Sequence, residues 1–143
     1  MSHVTTITKS LLACGFLTLA LSIGACGPAI NEVRIEPGTA PLKPVFVLTD
    51  TTGQATTGTI YGLSVIPCGA ENPVWQIAAN GSSSAPMRLE YGETPPGYVV
   101  NVGPAPLRAG CYDVFITDGR RSRFRVDVSG HVTADARRDT TRR

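Results

Sequence analysis

The residues of this 143-residue chain that could do chemistry are few: four cysteines, a small set of carboxylates and one run of alternating arginines. Cys14 and Cys26 lie in or at the end of an apolar stretch, whereas Cys68 and Cys111 stand alone in the body of the sequence. No Cys-x-x-Cys spacing is present, and in an exported protein two isolated thiols most simply form a disulfide. The loop it closes would hold about 44 residues, for which the chain-entropy treatment gives roughly 4 kcal/mol of stabilisation. Metal binding by the same thiols is the poorer reading, because His131 falls outside the expected folded region and supplies no further ligand. A body without histidine also offers no Ser-His or Cys-His nucleophile. No glycine-rich phosphate loop joins a strand to a helix, since Ser82-Ser83-Ser84 reads as a polar turn after Asn80-Gly81.

Glu71, Glu90, Glu93 and Asp113 could in principle supply a sugar-cleaving carboxylate pair, but such enzymes usually need a larger scaffold to form a cleft. The expectation is therefore a non-enzymatic protein with no cofactor and no metal. Arg121, Arg123 and Arg125 share one strand face, opposite Phe124, Val126 and Val128. Two readings stand side by side. One is an anionic contact surface for phosphate-bearing lipid or a cell-wall carboxylate. The other is a solvated outer face, balanced by Asp113 and Asp127, that guards an edge strand. Trp75 alternates with Ile77 and reads as core rather than as a platform for a sugar ring. Glu90-Tyr91-Gly92-Glu93-Thr94-Pro95-Pro96-Gly97-Tyr98 is a rigid loop with two aromatics and acidic rims, suited to a protein interface or simply to a turn between strands.

Two segments decide where this chemistry would act. Leu11 to Ala25 carries no charge and follows Lys9; as a helix it would span about 22 Å, short of the roughly 30 Å hydrocarbon core of a bilayer. A short apolar run behind a cation and ending in small residues predicts a secretory signal peptide over 1–25. Its last residues, Ile23-Gly24-Ala25-Cys26, resemble the bacterial lipobox: an aliphatic residue, two small residues and a cysteine. Leu11-Leu12-Ala13-Cys14 fits the same pattern, but cutting there leaves almost no hydrophobic run ahead of the site. The resemblance implies a lipid on Cys26 and membrane attachment without a membrane span, since several acyl chains exceed the two-signal threshold for stable anchoring. Gly27 in the place of an aspartate implies the outer membrane where there is one, on its periplasmic or surface side, and otherwise the cell membrane.

The processed chain loses Lys9 and retains 12 basic and 11 acidic residues from the original 13 and 11, a balance that argues against a nucleic-acid binder. From Ile30 to Val128 its apolar residues recur every second position, and Val45 to Thr49 forms a continuous run suited to a strand buried on both faces. About eight short strands, with turn clusters between them and no helical stripe, predict an all-β antiparallel sandwich. The last hairpin sets a register test. A two-residue Asp118-Gly119 turn puts arginines on the apolar face, whereas a three-residue loop pairs Tyr112 with Phe124, Val114 with Ser122 and Asp113 with Arg123.

Leu107-Arg108-Ala109-Gly110-Cys111-Tyr112-Asp113-Val114 resembles the entry to a late strand of fibronectin type III and immunoglobulin-like domains. The resemblance implies an immunoglobulin-like sandwich of about 7–8 strands with Tyr112 packed across a corner. It does not carry the immunoglobulin disulfide, because Cys111 directly precedes the tyrosine; a Cys68–Cys111 bond would instead staple the Pro67–Asn72 loop to one end of the sandwich. The stretch from Trp75 to Val128 is also similar to small bacterial lipoproteins that carry no assigned activity. The expected plan is a signal peptide over 1–25, a lipid-anchored linker over 26–30, a sandwich over 31–130 and a disordered basic tail over 131–143. The expected function is a lipid-anchored envelope module that binds or assembles with an envelope protein. A structural subunit of an envelope or secretion complex, and a small carboxylate-dependent enzyme, are the alternatives.

Overall fold

In the computed structural model, residues 29–135 are described, apart from 82, 83, 118 and 120. They form nine strands: β1 Glu32–Glu36, β2 Val45–Thr49, β3 Gly62–Pro67, β4 Trp75–Ala79, β5 Arg88–Glu90, β6 Tyr98–Val102, β7 Gly110–Ile116, β8 Ser122–Val126 and β9 Val132–Ala134. No helix occurs among the described residues. The strands make two antiparallel sheets, ordered β1-β2-β5 and β6-β4-β3-β7-β8-β9. With β6 and β9 set aside as added edges, this is the strand order of an immunoglobulin-like sandwich.

Period-two patterning accounts for the layering. Val33 and Ile35 on β1, Phe46 and Leu48 on β2 and Leu89 on β5 face Leu63, Val65, Trp75, Ile77, Tyr112, Val114, Phe124 and Val126 of the larger sheet. Phe46 sits at the centre, its ring 6.0 Å from Trp75 and 6.1 Å from Phe124. Trp75 is fully buried, which places it in the core as its spacing with Ile77 predicts. The larger sheet outruns its partner at β6: Val100 pairs with buried Ile77 yet is 43% exposed.

The β7–β8 register is the three-residue one, with Tyr112 opposite Phe124, Asp113 opposite Arg123 and Val114 opposite Ser122. At the turn the Gly119 N–H donates to the Ile116 carbonyl at 3.1 Å, and a Cβ on Gly119 would overlap the Ile116 side chain. Tyr112 makes the corner: its hydroxyl donates to the Arg108 carbonyl and accepts the Arg108 N–H, both at 2.9 Å.

Two expectations change. The sheet does not stop at Val128, which is fully exposed in the β8–β9 turn, but continues through β9, where Val132 pairs with Val126 and buries its side chain. A three-residue strand holding one large apolar residue is too short to show a period, so the reading of 131–143 as wholly disordered overlooked it. Residues 136–143 lie outside the described residues, as do Cys26 and the 1–25 segment.

The pairing also fixes two ends. Glu32, Thr49, Ile116, Ser122 and Ala134 lie at one, together with the first and last described residues. Glu36, Val45, Glu90, Gly110 and Val126 lie at the other, where the Leu42 N–H donates to the Gly130 carbonyl. The seven residues of β7 separate the ends by about 20 Å.

Candidate functional site

The arginine face is occupied by its own carboxylates. Asp113, 3% exposed, receives Arg123 Nε on Oδ1 at 2.8 Å and Arg123 Nη2 on Oδ2 at 3.3 Å, and Arg121 Nη2 donates to the same Oδ2. Arg125 Nε donates to Asp135 Oδ1 at 3.1 Å. Asp127, expected to help balance this face, lies in the β8–β9 turn instead and accepts the Ser129 hydroxyl and the Ser129 and His131 N–H groups. Burial pushes the Asp113 carboxyl up, but the Arg123 and Arg121 guanidiniums outweigh it and hold the group below the usual carboxylate range. Arg121 further stacks over Phe115, 5.4 Å from its centroid. Asp113 and Asp135 thus hold all three guanidiniums, and β8 lies between β7 and β9 rather than at an edge of the sheet.

Cys68 and Cys111 are bonded, with Cα atoms 5.3 Å apart. The Cys68 N–H donates to the Cys111 carbonyl, so the bond crosses two neighbouring strands and fastens the start of the Cys68–Asn72 loop to β7. His131 belongs to the turn into β9, inside the fold rather than beyond it. Among the described residues no three of His, Cys, Asp and Glu converge as a metal site.

A concave feature lies elsewhere, at the end away from the first and last described residues. It is a cleft of about 620 Å³, within the range of ligand-binding cavities, formed by three segments: Pro41-Leu42-Lys43, Glu90-Tyr91-Gly92-Glu93 and Pro104-Ala105-Pro106-Leu107. Tyr91 ties the walls together, its hydroxyl donating to the Ala105 carbonyl at 2.6 Å while its ring meets Trp75 at 5.2 Å. Burial, reinforced by Tyr112, pushes the Tyr91 phenol up to about 12, so it stays a protonated donor held on that carbonyl. Gly92 has φ +87°, and a Cβ there would lie 3.2 Å from Pro104 Cγ; its smallness lets two walls meet.

The two carboxylates at this rim are not poised as an acid–base pair. Glu90 pairs with Lys43 at 3.3 Å and accepts the Thr39 hydroxyl at 3.4 Å. Glu93 Oε2 accepts the Glu90 N–H at 3.0 Å, which closes the turn. Of the loop singled out in the sequence, the structure brings its first half to the cleft and not its second. Tyr98 is buried at the opposite end, its hydroxyl donating to the Ile60 carbonyl at 2.9 Å. The Pro41 and Pro104 segments were missed, because a wall made by joining three distant loops leaves no local pattern. The available signal was proline density, with Pro37, Pro41, Pro44, Pro104 and Pro106 all near strand ends. No known protein family, characterised protein or solved structure matches this chain.

Proposed function

We propose that this is a lipid-anchored, non-enzymatic module of the bacterial envelope that presents its cleft end to a protein partner. The carrying observation is polarity: residues 29–32 and 134–135 lie at one end of the sandwich, and the cleft lies at the other. With a lipid on Cys26, the six-residue stretch to Glu32 reaches at most about 20 Å, so the bilayer faces the first end. The cleft then stands more than 20 Å above that face, beyond the roughly 8 Å screening length at physiological salt, and meets its partner free of the membrane's charge. The Arg-rich segment 136–143 leaves from the membrane-facing end, where anionic headgroups are available to it.

Two measurements test the reading. Mass spectrometry of protein from intact cells should find an acylated amino-terminal Cys26; a free amino terminus elsewhere overturns the anchoring. Photo-crosslinkers placed at Val128 or Pro106, at the cleft end, should capture protein, whereas one at Thr52, at the opposite end, should mainly capture lipid. Protein captured from Thr52 alone would reverse the orientation.

A further inference from the structure

The hydrogen-bonding groups on the cleft walls are partly committed and partly open. Pro41, Pro104 and Pro106 have no N–H to offer. The N–H groups of Leu42, Tyr91 and Ala105 are already spent on the carbonyls of Gly130, Pro44 and Val74, at 3.1, 2.9 and 2.9 Å. Those of Glu90 and Glu93 are spent on each other's segment, on Glu93 Oε2 and the Glu90 carbonyl. The Tyr91 hydroxyl is committed to the Ala105 carbonyl and the Lys43 ammonium to Glu90. The N–H groups of Lys43, Gly92 and Leu107 donate to no acceptor among the described residues. The carbonyls of Pro41, Pro104 and Pro106 accept no hydrogen bond among the described residues, and no cation pairs with Glu93 there.

Charge on the walls is uneven. Glu90 and Glu93 stand there against Lys43, two carboxylates to one cation. A phosphate, sulfate or carboxylate would meet a surplus of negative charge. A ligand that brings positive charge is matched, the open N–H and C=O groups of the walls suit the main chain of an extended segment, and the proline and Leu42 side chains suit apolar ones.

We infer that the cleft docks an extended segment of a partner protein in which lysine or arginine stands beside proline or leucine. The cationic side chain lies against Glu93 and the proline carbonyls, and the apolar neighbour packs on Leu42 and the rings of Pro41 and Pro106. Walls built from proline and fixed by Tyr91 are already in place before binding, which lowers the ordering cost of association. The inference rests on the reading of this end as the docking end and narrows what is docked there.

The test is selection of a random peptide-display library on the detergent-solubilised full protein, with an Ala105→Trp variant, whose cleft is filled, as the counter-selection target. The expected consensus contains Lys or Arg next to Pro or Leu. Trp75, the single tryptophan, touches Tyr91 and reports binding of a synthetic consensus peptide by fluorescence. Replacing its arginine by citrulline should weaken binding about tenfold, and Glu93→Gln should weaken the arginine peptide severalfold. An acidic consensus, or one that binds the filled variant equally, overturns the inference. So does a peptide of sequence 136–143 as the sole binder with concentration-dependent self-association, which would assign the cleft to a second copy. Protein captured in cells at Val128 together with an acidic consensus would leave the docking end standing and remove only the ligand class.

Discussion

Each sheet carries on its outer face one carboxylate between two arginines, and the two arrangements behave differently. On the three-stranded sheet, Glu36 meets Arg34 at 3.0 Å and Arg88 at 2.7 Å, all three substantially exposed. Arg34 and Arg88 flank Val47 across the strands, and Val47 is fully buried though it points away from the core. The long side chains there serve as a roof, with their methylenes on valine and their charged heads in water. On the six-stranded sheet the order is inverted. Asp113 is the buried member, the arginines lie over it, and the Cys68–Cys111 bond crosses the same face one pair further along β7. The first cluster covers an apolar side chain with charges that never leave solvent. The second holds a desolvated charge that depends on its partners, and only there does removal of one group strand another.

That contrast sets an order of effects. Replacing Cys68 and Cys111 by serine should be the most damaging, lowering stability in urea titration by up to about 4 kcal/mol, because a loop of 43 residues separation regains its freedom when unfolded. Loss of less than 1 kcal/mol would mean that the outer face of the larger sheet holds its strands without the bond. Next comes Asp113→Ala, expected to cost about 2 kcal/mol, since it removes the acceptor shared by two guanidiniums that are themselves nearly half in water.

Acid should act on the same site with a definite sign. The folded Asp113 carboxyl titrates below its unfolded value, so its contribution is complete above about pH 4 and is lost as pH falls through the folded value. Urea midpoints measured from pH 5 down to pH 2 should therefore decline, and Asp113→Asn should flatten the decline. An unchanged slope in that variant would place the acid sensitivity elsewhere. Smallest is Glu36→Gln, expected to cost about half a kcal/mol or less and to vanish in molar salt, because its partners are half in water. A cost equal to that of Asp113→Ala would erase the distinction between the two faces.

The sequence made the layers legible because alternation is local. The β7–β8 register followed from asking which pairing kept arginines off the apolar face, and the run Val45 to Thr49 foretold a strand with both sides covered. What covers the second side did not follow. Arg34 and Arg88 are brought over Val47 by cross-strand register, and no spacing along the chain encodes that. Arginines 121, 123 and 125 were visible as a face, yet the depth of Asp113 beneath two of them was not, because burial depends on how the sheet turns its residues against solvent. The cleft was half legible, through Glu90 to Glu93, and its other walls come from loops joined only by folding. β9 escaped because one buried valine makes no pattern.

The polarity of the sandwich has a mechanical consequence. A pull between residue 29 and the cleft runs parallel to the strands, drawing the start of β1 one way and the rest of the domain the other. Ladder hydrogen bonds in an antiparallel pair lie across the strands. Such a load therefore stresses all five β1–β2 residue pairs together, along with the Ser122 hydroxyl bonded to the Val33 carbonyl, instead of parting them one after another. Pulled at the opposite end of β1, the same strand would peel. The domain is built to bear tension along its length and to yield to it from the side.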